Sequence, residues 1–130
     1  MKLLTLYIGT YERPDFLDNC LESIEKQEFK NFDLIISDNG SLIDYSKVLQ
    51  KYNHLNINYI KHKRNQQGAI PNYKFCFTNK INTKYMMFFH DDDIMHPSLL
   101  SNSIDYLEKN NDVNVIGCLS QLFIKKPNEK

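Results

Sequence analysis

The sequence has no excess of either charge. Sixteen basic side chains balance sixteen acidic ones in 130 residues. No global field therefore points to nucleic acid or an anionic membrane, and charge recognition has to be local. No apolar run approaches the roughly 20 residues of a membrane span. The opening Lys2-Leu3-Leu4-Thr5-Leu6-Tyr7-Ile8 is too short for a signal h-region and its cleavage site. The chain is thus expected to be cytoplasmic. Cys20, Cys76 and Cys118 are odd in number, far apart and set among apolar residues, which predicts reduced thiols in a core. CxxC and Cys/His metal spacings are missing, which argues against zinc. Internal repeats and low-complexity segments are missing too. Gly9-Thr10-Tyr11-Glu12 is not the Gly-rich phosphate loop that a nucleotidyltransferase would favour. A phospho-receiver domain wants an acid pair after its first strand and a lysine after its fifth. Gly9-Thr10 and Cys118-Leu119 supply neither.

What is present is ordinary globular composition, 42% hydrophobic and 25% charged, in one domain's length. Residues 1–124 read as a single domain. Residues 125–130 read as a polar tail or a truncation point. The most informative stretch is Met86-Met87-Phe88-Phe89-His90-Asp91-Asp92-Asp93-Ile94. Its apolar half predicts a strand buried on both faces, and three carboxylates follow where that strand leaves the sheet. Neighbouring like charges cost about 4 kcal/mol per close pair at an effective dielectric near 20. A cation should offset them, most simply a divalent metal on hard carboxylate oxygens. The competing reading is a solvated acidic turn, with Asp93 or a neighbour starting the next helix.

Taken in order, Leu3 to Ile8 predicts a first strand. Pro14 suits the first turn of a helix with an apolar stripe of Phe16, Leu17, Cys20, Leu21 and Ile24. Phe32 to Ser37 predicts a second strand, ended by the turn Asp38-Asn39-Gly40-Ser41. A helix over 43–52 and a strand over 57–60 follow. The basic loop Lys61-His62-Lys63-Arg64-Asn65-Gln66-Gln67-Gly68 leads into a helix over 69–78. After the strand of Tyr85 to Phe89, Pro97 opens a helix buried through Leu99, Leu100, Ile104 and Leu107. Val113 to Leu119 predicts a fifth strand. This alternation argues an α/β, Rossmann-like, mostly parallel sheet with helices on both faces. Such sheets bind ligands at the carboxyl ends of their strands.

Glu12, Asp38, Arg64 and Asp91–Asp93 all fall just after predicted strands and should gather on one edge. Asp38 can accept from the imide-like N–H of a pyrimidine base or simply stabilise its own Asx-turn. Arg64 with Lys63 can hold a diphosphate or form a solvated basic loop. Magnesium and manganese join a few carboxylates to phosphate oxygens, so the combination describes a nucleotide-diphosphate site. His90 and His96 read as structural or supporting side chains and His54 and His62 as surface ones. Tyr11 and Tyr45 are the candidates for stacking on a base.

These residues resemble the inverting family 2 glycosyltransferases of the GT-A fold. Leu6-Tyr7-Ile8-Gly9-Thr10-Tyr11-Glu12-Arg13-Pro14 looks like that family's first strand and helix start. Ile36-Ser37-Asp38-Asn39-Gly40-Ser41 is similar to its second motif. Asn65-Gln66-Gln67-Gly68 with Asn72 resembles the segment before its metal strand, and Phe89-His90-Asp91-Asp92-Asp93-Ile94 with Pro97 its DxD region. The resemblance implies a nucleotide-diphosphate sugar, commonly a UDP-sugar, with Mn²⁺ or Mg²⁺. Thr10, Tyr11, Glu12, Asp38, Arg64 and Asp91 would bind the nucleotide. Asp92, with Asp91 and Asp93, would hold the metal. His90 stands where the first Asp of the DxD often stands, and Glu12 where the family often has Asn. Family members usually continue into a second half carrying the acceptor site and catalytic base. No base is named here, the saccharide or lipid-linked acceptor stays open, and membrane association would come from such a further part. A binding-only domain without turnover is the alternative.

Overall fold

In a computed structural model, residues 2–63 and 70–122 are described. Four strands form one parallel sheet in the order β3-β2-β1-β4. They are β1 (Leu4–Thr10), β2 (Phe32–Asp38), β3 (Asn58–Lys61) and β4 (Tyr85–His90), joined by α1 (Pro14–Glu25), α2 (Ser46–Lys51), α3 (Ile70–Thr78) and α4 (Leu99–Lys109). Parallel neighbours need crossover connections, and the intervening helices supply them. In register, Leu4, Leu6 and Ile8 of β1 lie beside Phe32, Leu34 and Ile36 of β2. On the other side they lie beside Tyr85, Met87 and Phe89 of β4.

Strand alternation divides these residues between two faces. One face carries Leu4, Leu6, Ile8, Leu34 and Ile36, and its core cluster includes Leu17, Cys20, Leu21 and Ile24 of α1 and Leu100 and Ile104 of α4. Each such side chain contributes about 1.5–3 kcal/mol relative to exposure. The opposite face carries Tyr7 and Gly9 and is covered by α3. The Tyr7 hydroxyl accepts a hydrogen bond from Asn79 Nδ2 at 3.4 Å. A Cβ on Gly9 would sit 3.2 Å from Phe88 Cζ and 3.6 Å from Asn72 Nδ2. Gly9 is what leaves room for the Phe88 ring on this face, while Asn72 sits at ordinary contact distance.

Gln27, just past α1, fixes the segment between β4 and α4. Its amide nitrogen donates to His96 O at 2.7 Å and to Ser23 O at 3.4 Å. Its Oε1 accepts from Leu100 N at 3.1 Å. Leu100 is the second residue of α4, where an N-cap side chain would normally accept, and Ser98 makes no such bond. A glutamine from the segment just after α1 therefore caps α4. Ser23 Oγ accepts from Met95 N at 3.0 Å, so the acidic turn after β4 is tied to α1 at several points.

Three expectations need correction. Residues 113–122 form no strand, and Val115, Leu119 and Leu122 are exposed. An apolar run becomes a strand only when a neighbour takes its backbone hydrogen bonds. Val113 N is instead bonded locally to Asn110 O. As a consequence β4 is an edge strand among the described residues, half-buried rather than buried on both faces. Cys118 is exposed, while Cys20 and Cys76 are buried as expected. Burial pushes the Cys76 thiol up to about 11. Among the described residues no helix is long and apolar enough to cross a membrane.

Candidate functional site

The carboxyl ends of β1, β2 and β4 meet in one polar cluster. Because β1 is central, the loop after it touches both neighbours. Thr10 ends β1 and donates its hydroxyl to Asp91 Oδ2 at 2.8 Å. Thr10 Oγ1 also lies 3.1 Å from the Tyr45 hydroxyl, which accepts from Arg13 N at 3.0 Å. Asp91 is buried, and this pushes its carboxyl above the ordinary carboxylate range. The Thr10 bond, Arg13 and the Tyr11 amide pull it back, while Asp92 adds to the rise.

Asp92 is different. Its side chain is 46% exposed and accepts from Arg13 Nη1 at 2.9 Å. The same Nη1 is 3.7 Å from Asp91 Oδ1. The cation that the acidic stretch called for is thus met first by a guanidinium from the β1 loop. Asp93 is exposed, and its amide closes the turn onto His90 O at 3.4 Å. α4 begins only at Leu99, so Asp93 does not start the helix. The buried Cys20 thiol donates to His90 O at 3.5 Å. Its own proton is held more tightly by burial and by the nearby Asp91, Asp93 and Asp92 charges.

At β2, Asp38 is fully buried. Its Oδ1 accepts from Ser41 N at 2.9 Å and Ser41 Oγ at 2.6 Å. Its Oδ2 accepts from the Tyr59 hydroxyl of β3 at 2.5 Å. The Asx-turn reading describes these contacts, and a buried carboxylate requires such partners. Glu12 joins the two loops, its amide donating to Ser41 Oγ at 2.9 Å and its Oε1 accepting from Leu42 N at 2.7 Å. These bonds hold Glu12 at φ 55°, left-handed space that asparagine tolerates better than glutamate. Strained backbone of this kind concentrates at functional sites. Tyr11 is exposed beside them.

Thr10, Tyr11, Glu12, Asp38, Asp91, Asp92 and Asp93 therefore come to one edge, as expected. Arg64 and Asn65 to Gly68 lie outside the described residues. Tyr45 is buried and spends its hydroxyl on Thr10 and Arg13, so it is a strut rather than a stacking surface. His62 is bound rather than free at the surface, with Nε2 2.8 Å from Ser37 Oγ. His90 lies 3.1 Å from the Tyr73 hydroxyl. His96 Nδ1 lies 3.0 Å from Ser98 Oγ, a local structural contact. Sequence reasoning overlooked Arg13, Ser41, Tyr59 and Asn72 as site residues. Arg13, Ser41 and Asn72 stand within the motifs quoted from the sequence, whereas nothing there singled out Tyr59. Asn72 holds Ser37 from both sides, accepting from its Oγ at 2.9 Å and donating to its carbonyl at 3.0 Å.

Among the described residues no three His, Cys, Asp or Glu side chains converge on one point. The donor set is not an all-protein metal cage. Asp92 with Asp91 instead suits Mg²⁺ or Mn²⁺, which take one or two carboxylates and complete their shell with water and substrate phosphate.

Comparison with known proteins agrees with this architecture. Residues 5–128 match the model of glycosyl transferase family 2. The chain belongs to that family. It is 31% identical over 108 residues to the bifunctional glycosyltransferase pgtA of Dictyostelium discoideum, covering 79% of this chain and 14% of that protein. Among solved structures it superposes on S. aureus TarS 1–349 in complex with UDP, with a TM-score of 0.74 and 20% identity, over 96% of this chain and 40% of TarS 1–349. It also superposes on the mannosyltransferase PcManGT of Pyrobaculum calidifontis in complex with GDP-Man and Mn²⁺, with a TM-score of 0.61 and 14% identity, over 80% of this chain and 32% of that one. The fold is that of the GT-A glycosyltransferases. The chain spans well under half the length of each of these proteins.

Proposed function

We propose that this chain is the donor-binding part of a glycosyltransferase that takes a nucleoside-diphosphate sugar, with UDP as the nucleotide. The observation carrying this reading is the meeting of Thr10, Arg13, Asp91 and Asp92 beside the Asp38 turn, at the carboxyl edge of a parallel sheet. The nucleoside lies over Thr10, Tyr11, Glu12 and the Asp38 turn, with Arg64 serving the base or diphosphate. Asp91, held by Thr10, faces the ribose side, and Asp92 with Asp91 and Asp93 holds Mn²⁺ or Mg²⁺. The bound cation supplies charge neutralisation for a departing diphosphate. An acceptor hydroxyl, on a saccharide or lipid-linked acceptor, attacks the anomeric carbon as the bond to the diphosphate breaks. Its proton passes to a general base. That the two structural neighbours are complexes with UDP and with GDP-Man and Mn²⁺ supports a nucleotide ligand and a divalent cation for this fold.

Calorimetry of UDP with Mn²⁺, on the wild-type chain and Asp92→Ala, tests this. Binding that weakens at least tenfold in Asp92→Ala is expected. No binding by the wild type, or equal binding by both, overturns it.

A further inference from the structure

Arg13 is placed where no nucleotide is needed to explain it. Its main chain is fixed. It occupies the N-cap of α1 ahead of Pro14, its amide donates to the Tyr45 hydroxyl, and its carbonyl accepts from Leu17 N at 3.1 Å. Its side chain is long and 47% exposed, yet one guanidinium nitrogen bridges Asp92 at 2.9 Å and Asp91 at 3.7 Å. A fixed root with a free arm can leave the carboxylates without disturbing the fold. The two acids it bridges are the pair that the proposed function assigns to the metal. One ligand position on Asp92 cannot serve a guanidinium and a divalent cation together.

We infer that Arg13 is a placeholder counter-ion: it offsets part of the Asp91 and Asp92 charge in the metal-free protein and is displaced from Asp92 when a divalent cation arrives. This rests on the metal reading above and adds a property of its own. Cation binding to the nucleotide-free protein competes with an internal ion pair, so the metal binds weakly until a diphosphate adds its own oxygens. An ion pair of this exposure lowers cation affinity about two- to fivefold. The placeholder also prevents a buried acid and its neighbour from facing one another uncompensated.

The test uses Mn²⁺ alone, measured by the paramagnetic resonance signal of the free ion, on the wild type, Arg13→Gln and Asp92→Ala. Arg13→Gln is expected to bind Mn²⁺ two- to fivefold more tightly. In the wild type, the Arg13 Nη–H resonances, followed at low temperature in a titration with diamagnetic Mg²⁺, are expected to lose the shift of the Nη1–Asp92 ion pair with the midpoint of Mg²⁺ binding. Unchanged or weaker Mn²⁺ binding in Arg13→Gln overturns the inference. So does an Arg13 resonance that stays put through Mg²⁺ saturation, which separates displacement from a mere loss of nearby positive charge. If Arg13→Gln does not fold, the wild-type titration decides alone. Failure of the underlying metal reading looks different: Mn²⁺ binding would then be equal in the wild type and Asp92→Ala.

Discussion

Replacing Gln27 by leucine should unlatch the start of α4 from the end of α1. Leucine is apolar and of similar size, so the change leaves little cavity and isolates the loss of polar contacts. Three backbone groups lose a partner, the Ser23 carbonyl only a long 3.4 Å bond. The His96 carbonyl loses a 2.7 Å donor, and the Leu100 amide loses a 3.1 Å acceptor. Gln27 is buried, and an unsatisfied buried group costs about 1–3 kcal/mol. The sum is about 2–4 kcal/mol once partial rehydration of the His96 carbonyl is allowed. That is a large part of a stability of about 5–15 kcal/mol. Urea unfolding followed by circular dichroism reads the shift in midpoint at constant slope. Amide exchange should also show Leu100 losing protection ahead of the β1 and β2 amides. A destabilisation below about 0.5 kcal/mol with Leu100 still protected would refute the idea that an external glutamine caps α4.

Two further outcomes follow from the polar cluster. Tyr59→Phe removes the hydroxyl that donates to buried Asp38 Oδ2 and should lower stability by about 1–3 kcal/mol in a thermal melt; an unchanged melting temperature would contradict the role given to Tyr59. Asp91 holds its proton more tightly folded than unfolded, chiefly through burial. The native state therefore binds more protons in the window between the ordinary carboxylate pKa and the raised one. Stability contributed by Asp91 is highest below that window and declines as pH rises through it. Asp91→Asn should flatten this part of the stability–pH curve, and an unaltered curve would count against the assignment.

Much of the fold was legible because the strands that form the sheet are dense apolar runs punctuated by Gly9-Thr10, Asp38-Asn39-Gly40 and His90-Asp91. Period and punctuation are local properties, and they placed β1, β2, β3 and β4 within a residue or two. The run from Val113 to Leu119 has the same composition, but strand formation also needs a neighbouring edge. Composition does not report whether one is engaged. The edge position of β4 was hidden for the same reason. At the site, the acids could be placed at strand ends, since topology carries them there. Their partners could not. Arg13 reaches Asp92 across 79 positions and Tyr59 reaches Asp38 across 21, contacts that depend on strand order rather than on spacing. Asp38 offered two readings because a turn carboxylate and a base-binding carboxylate look alike in sequence. Burial and three donors describe the first, and the second stands as a proposal about the bound state.

The central claim is that a nucleoside diphosphate binds on the edge formed by Thr10, the Asp38 turn and Asp91–Asp93. Backbone amide shifts recorded while UDP is added with Mg²⁺ test it most directly. Saturable shifts clustered at residues 10–13, 37–42 and 90–93 are expected, with residues 114–118 unaffected. Shifts confined to residues 114–118, or none at millimolar UDP, would contradict it.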